Sequence, residues 1–183
     1  MNRNIYIHYG AESFDPQKFI TPCNGDWLRT KPKFHTGLWA SPVCSHYSWL
    51  KWCKENDFKH YKKNNYFMFK IKPSARVCHI YQVKDLLKLT RLENSSDDSW
   101  YSIDYNEVIK HYDAIELHLS EEKTPYDFDA SEMSLKSYCD RLYNALYGWD
   151  CDSILILNKD IIQPVKKSRR ICNRIQSKNT RRR

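Results

Sequence analysis

Glycine is scarce. The chain has four, Gly10, Gly25, Gly37 and Gly148, among 183 residues, and no two are close neighbours. A GxGxxG dinucleotide loop or a GxxxxGK[ST] phosphate loop needs clustered glycines so that backbone can approach phosphate. Neither loop can be written here, so a nucleotide bound by this chain is held by another kind of site. Long apolar runs are also missing. The longest strongly apolar stretch is Ile154–Leu157, far short of the roughly 20 residues a membrane-spanning helix needs. Acidic residues are absent from the last eighteen positions. Residues 166–183 carry nine Lys or Arg, which leaves 21 basic against 22 acidic groups in residues 1–165. The net charge of +8 therefore belongs to the tail, while the body is close to neutral. The tail also lacks aromatics, which argues against a base-stacking surface. The first ten residues hold no apolar segment of the secretory kind, and the seven cysteines are odd in number and irregularly spaced. Reduced thiols in a cytoplasmic protein are the expectation.

What is present is enough for a core. Hydrophobic residues make up 41% and charged residues 28%, the balance of a folded domain rather than a disordered chain. One domain over 1–165 followed by a flexible basic tail over 166–183 is expected. Strands are predicted at residues 4–9, Gly37–Ser41, Tyr66–Ile71, Arg76–Ile80, Asp113–Leu119, Ser153–Leu157 and Ile161–Val165. Continuous apolarity in Ser153–Leu157 predicts burial on both faces. Helices are predicted over Ser45–Asn56 with Ser45 or Ser48 as N-cap, over Gln82–Leu89, from an Asp104 cap to about His111, and along the face marked by Leu135, Tyr138, Leu142 and Leu146. Residues 11–36 and 120–134 read as loops. The sum is a mixed α+β domain.

Three segments carry unusual chemistry: Ile7-His8-Tyr9-Gly10, Gly37-Leu38-Trp39-Ala40-Ser41 and Trp149-Asp150-Cys151-Asp152-Ser153. Taken singly, each is more often structural. A His at a strand end commonly satisfies a backbone group, Trp is a large core residue, and Asp before a strand is a turn former. Cys44-Ser45-His46 with His35 and Cys53 lacks the paired spacing of a metal site, so no metal is expected. No cysteine is singled out as a nucleophile by a neighbouring base.

The order of these segments resembles the ADP-ribosyltransferase superfamily, in its His-Tyr-Glu branch of poly(ADP-ribose) polymerases and diphtheria toxin. Members open on a strand with His followed closely by Gly, as in His8-Tyr9-Gly10. A Gly-apolar-aromatic strand follows, matched by Gly37–Ser41 with Trp39 at the aromatic place. Phe67–Ile80, Tyr112-Asp113-Ala114-Ile115 and Asp152–Pro164 continue the series. Two departures stand out: Gly10 comes one position later than in the commonest His-Gly pair, and the Glu expected at the head of the last strand is Asp152 or Ser153.

The resemblance implies an α+β fold of two small packed antiparallel or mixed sheets with flanking helices. It implies NAD as co-substrate, without metal, and ADP-ribose transfer to a protein or nucleic-acid acceptor. In that picture His8 bonds a ribose hydroxyl and backbone at Tyr9 and Gly10 grips the nicotinamide amide. Trp39 stacks on the ring beside Ser41, with Tyr47 or Trp49 closing the other side. A carboxylate beneath the ribose stabilises developing positive charge. Asp152 is the first candidate, Glu116 the second and Asp150 the third. The rival reading is a non-catalytic nucleotide-binding or nucleic-acid-binding module using the same pocket. In either case Lys166, Lys167, Arg169, Arg170, Arg174, Arg181, Arg182 and Arg183 offer salt-sensitive polyanion contacts of low sequence information. No membrane partner is expected.

Overall fold

A computed structural model describes residues 5–24, 36–58, 65–81, 83–90, 103–118 and 149–166. Within them, β-branched and aromatic runs pair into seven strands: β1 (Tyr6–Tyr9), β2 (Leu38–Pro42), β3 (Tyr66–Ile71), β4 (Val77–Ile80), β5 (Ala114–Leu117), β6 (Ser153–Ile156) and β7 (Ile162–Val165). They form one sheet in the order β4-β5-β6-β2-β1-β3-β7. Only β4 and β5 run parallel; the other five pairings are antiparallel. The mixed α+β class expected from the sequence is present. Two separate packed sheets are not, because β2 pairs with both β1 and β6 and joins the halves into one continuous sheet.

Side-chain alternation assigns the residues to faces. Tyr6 pairs with Pro42, so Tyr6 and His8 share a face with Leu38 and Ala40. Ala40 pairs with Ile154, and Ile154 with Glu116, which extends that face across β6 and β5. Its apolar cluster includes Tyr6, Phe67, Phe69, Ala114, Ile154 and Ile156, with Phe14 and Phe19 of the β1–β2 connection packed against it. The opposite face carries Trp39, Leu155, Ile115, Leu117 and Cys78. Helix α2 (Tyr105–His111) covers it through Tyr105 and Val108, together with Leu86, Leu89 and Trp149.

Local sequence explains most boundaries. Asp104 caps α2, its carboxylate accepting from the Glu107 amide at 3.1 Å. Helix α1 (Trp49–Glu55) starts after Ser48, the second of the two N-cap residues the sequence offers. Ser45 is drawn away because its hydroxyl bonds Asp152 and the Tyr47 amide. The helix expected over Gln82–Leu89 is a 3-10 helix at Val83–Lys88. Strand β6 is buried at all four positions, as its continuous apolarity predicted. Gly37 has φ +65, and a Cβ there would lie 2.5 Å from Leu155 Cδ1 and 2.8 Å from the Ile156 carbonyl oxygen. Glycine is needed both for the backbone conformation and for the approach of β2 to β6. The predicted helix around Leu135–Leu146, loop 120–134 and the tail beyond Lys166 lie outside the described residues.

Candidate functional site

Two of the segments singled out from the sequence lie on the paired strands β1 and β2, and the third leads into β6, which pairs with β2 on its other side at the centre of the sheet. The side chains they carry divide into two groups.

The first group gathers where the β2–α1 connection meets the head of β6. The Asp152 amide donates to the Tyr47 carbonyl at 2.9 Å, and the Ser45 hydroxyl donates to Asp152 Oδ2 at 2.6 Å. The Tyr47 amide in turn donates to Ser45 Oγ at 2.8 Å, which closes a small ring of bonds. Next to it the Trp49 amide donates to Ser41 Oγ at 3.1 Å, and Cys151 Sγ lies 3.9 Å from that hydroxyl. Asp152 and Ser41 are buried, whereas Tyr47 and Trp49 are half-buried. Trp49 stacks on Trp52 with ring centroids 5.0 Å apart. Trp39, half-buried on the same face as Ser41, meets Trp149 edge-on at 4.6 Å. The buried Trp149 indole N–H finds no acceptor among the described residues. Asp150, the third candidate acid, is half-buried beside this group.

His8 stands on the other face. Its Nδ1 lies 2.6 Å from the Trp39 carbonyl oxygen, an acceptor, so Nδ1 carries the proton and Nε2 is left as an acceptor. Burial pushes the His8 pKa down, against the opposing pull of that bond, and favours the neutral ring. Its Nε2 points toward Gly10, where an added Cβ would sit 3.7 Å away. Gly10 has φ +126 and is tied to Asn65 on both sides, donating to its carbonyl at 2.8 Å and accepting from its Nδ2 at 3.0 Å. The Gly10 amide expected to grip a nicotinamide amide is therefore engaged by Asn65. Similarly, a ring stacked on Trp39 and a ribose held by the His8 side chain fall on opposite faces of the sheet. His8 and Trp39 stand on adjacent strands but on opposite faces, since strand alternation sends odd and even positions apart.

The second group surrounds Glu116. Parallel pairing sets His79 of β4 opposite Glu116 of β5, and His118 follows two residues on. Oε2 of Glu116 lies 3.1 Å from His79 Nδ1 and 3.6 Å from His118 Nε2, and the two nitrogens are 3.3 Å apart. Tyr6 donates its hydroxyl to both carboxylate oxygens at 3.1 Å. Three inter-strand steps separate β1 from β5, about 14 Å on a flat sheet, so two long side chains reach toward each other across β2 and β6. Tyr81 stacks on His118 with centroids 4.2 Å apart and planes 9° from parallel. Burial alone would raise the Glu116 pKa, but bonds from His118 and His79 outweigh it and hold the carboxyl at about 2. The phenol of Tyr6 is pushed well above its ordinary value by burial and by the Glu116 charge.

Glu116 was legible in the sequence as a candidate acid; its histidine partners were not. His79 and His118 are 39 residues apart, and no spacing rule links them. The available signal was strand phase, since His79 and Glu116 both sit at polar positions of alternating strands. Among the described residues no helix is long and apolar enough to cross a membrane. No protein-family model, curated protein or solved structure matches this chain.

Proposed function

We propose that the chain binds NAD and transfers its ADP-ribose to a macromolecular acceptor, with Asp152 as the acid. The observation that carries this reading is the adjacency of β1, β2 and β6. Segments distant in the sequence, and singled out for their chemistry and order, meet on or at the head of neighbouring strands. Around them the β2–α1 connection holds Asp152 through Ser45 and Tyr47, the Trp49 amide bonds the Ser41 hydroxyl, and Trp39 lies on the same side of β2 as Ser41.

The roles follow from chemistry. Breaking the glycosidic bond of NAD leaves a ribosyl centre with cationic character, and a preorganised carboxylate stabilises it as it forms. Asp152 is oriented by the Ser45 hydroxyl. Trp39 supplies a flat aromatic surface for the nicotinamide ring. The Trp149 indole N–H is a donor available for an amide oxygen. His8 acts as a positioning residue: by donating to the Trp39 carbonyl it fixes the β2 backbone behind that ring.

One observation favours a second reading, a binding module without turnover. The Asp152 carboxylate is one methylene shorter than the Glu of the family pattern and already accepts a hydrogen bond from Ser45. Incubating the full chain with labelled NAD and cell lysate separates the two. Nicotinamide release with label on a macromolecule, lost in Asp152→Ala, is the expected result. Calorimetric NAD binding without release selects the module, and no binding overturns both.

A further inference from the structure

We propose that His79, Glu116 and His118 form a binding site for a divalent transition-metal ion of the zinc class, with a coordination position left for water or another ligand. The inference is independent of the NAD reading.

Convergence is the first reason. Nδ1 of His79, Nε2 of His118 and a carboxylate oxygen of Glu116 all lie within 4.8 Å of one another. Their separations are 3.1, 3.3 and 3.6 Å. A tetrahedral ion with bonds of about 2.0–2.1 Å to nitrogen and oxygen needs ligand atoms about 3.3–3.4 Å apart. An octahedral magnesium site with bonds of about 2.0–2.1 Å would bring adjacent ligands to about 2.9 Å. Two imidazoles also select against magnesium and calcium, which take oxygen ligands, and in favour of zinc and its neighbours.

A hydrogen-bonded cluster without metal explains this arrangement less well. Only one proton fits between any two of the three atoms, yet both nitrogens face the same carboxylate oxygen and each other. If both nitrogens carry protons, the two N–H groups oppose one another across 3.3 Å. If neither does, three lone pairs meet. A single proton, on either nitrogen, bonds the carboxylate but leaves the other nitrogen's lone pair facing the same oxygen, at 3.1 or 3.6 Å. A cation answers all three lone pairs at once.

The surroundings are built in the way ligand shells are. Tyr6 donates to Glu116 and fixes the carboxylate from the far side. Tyr81 stacks on His118 and fixes the plane of its ring. Such outer partners orient ligands and sustain affinity. Access is one-sided: the Glu116 side chain is 5% exposed and that of His118 14%, while that of His79 is 43% exposed. Solvent therefore reaches the cluster from the β4 edge, and three protein ligands leave a tetrahedral ion its fourth position.

The test is a titration of the chelator-stripped full chain with Co²⁺ and, separately, Zn²⁺. We expect one equivalent of Co²⁺ to produce the visible ligand-field bands of a tetrahedral nitrogen–oxygen site, displaced by Zn²⁺. Zn²⁺ should also raise the unfolding midpoint. His79→Gln, at the half-exposed ligand, keeps the fold and lowers affinity by at least tenfold; Tyr6→Phe lowers it about tenfold without changing the stoichiometry. His111→Ala, at an exposed position at the end of α2, leaves binding unchanged. Stripped protein that unfolds and recovers with Zn²⁺ supports the site. A thiolate-to-metal charge-transfer band would place the ion on cysteine and overturn it. So would wild-type binding in His79→Gln, or no bands in the wild type.

Discussion

The surroundings of Asp152 and Glu116 differ more than their burial does. Both residues are 3% exposed. Asp152 heads β6 and takes its side-chain bond from Ser45 in the β2–α1 connection, a short hydroxyl held in place by the Tyr47 amide. Glu116 sits inside the sheet and is met by a phenol from β1 and imidazoles from β4 and the end of β5. One carboxylate is oriented by a hydroxyl of a connection. The other is enclosed by groups that also bind metal ions. Asp113 provides a third, purely structural case: it accepts from the Arg76 amide at 2.9 Å, from Arg76 Nε at 3.3 Å and from Asn158 Nδ2 at 3.0 Å. Its backbone carbonyl takes the Leu157 and Asn158 amides as well. A buried acid's role is thus read from its partners, and these three acids have different ones.

The contrast can be broken most strongly at Asp113. Asp113→Ala should cost about 3 kcal/mol, because an amide and an asparagine lose their acceptor in a part-buried site. The Arg76 side chain is half exposed, so solvent screens its share and the other bonds carry most of the loss. Urea unfolding measures it, and a change below about 0.5 kcal/mol would remove Asp113 as a structural standard. Gly37→Ala comes next, at about 2 kcal/mol or more, since a Cβ meets backbone at 2.8 Å in a left-handed conformation. An unchanged melting temperature would mean that β2 and β6 pack less closely than described.

Acid titration sharpens the Glu116 side. Its folded pKa of about 2 is below the ordinary 4.5, so its stabilisation is fully present above the unfolded value. It is lost as pH falls from about 4.5 toward 2. That shift corresponds to about 3 kcal/mol at its upper limit. In Glu116→Gln the acid limb of stability against pH should flatten between those values; a limb identical to the wild type would contradict the pairing with His79 and His118. The smallest expected effect is at His8. Its pKa is lowered by burial, so its contribution is complete above the unfolded value and declines as pH falls through the folded one. His8→Ala should remove about 1 kcal/mol, chiefly the bond to the Trp39 carbonyl. A loss no larger than the error of unfolding would leave that bond without energetic weight.

Strand phase separates what was legible in the sequence from what was not. Alternation and β-branched runs located seven strands, and Asp104 announced α2. The ordered motifs picked out three segments that proved adjacent. Faces were harder, because a one-residue difference in phase reverses a side chain, and so His8 and Trp39 look opposite ways. Loop behaviour was hidden as well: Ser45 and Ser48 both read as helix caps, and nothing local shows that Ser45 is used instead by Asp152, a partner 107 residues away. The Glu116 cluster depends on a parallel β4–β5 pairing and on a long reach from β1, neither of which leaves a local pattern.

Nicotinamide release from NAD, measured side by side for the wild type, Asp152→Asn and Glu116→Gln, tests the division of roles most directly. Asp152→Asn keeps the size of the side chain and removes the charge, and it should lose about a hundredfold or more of the wild-type rate. Loss in Glu116→Gln with the rate retained in Asp152→Asn, or no release by the wild type, would contradict the assignment.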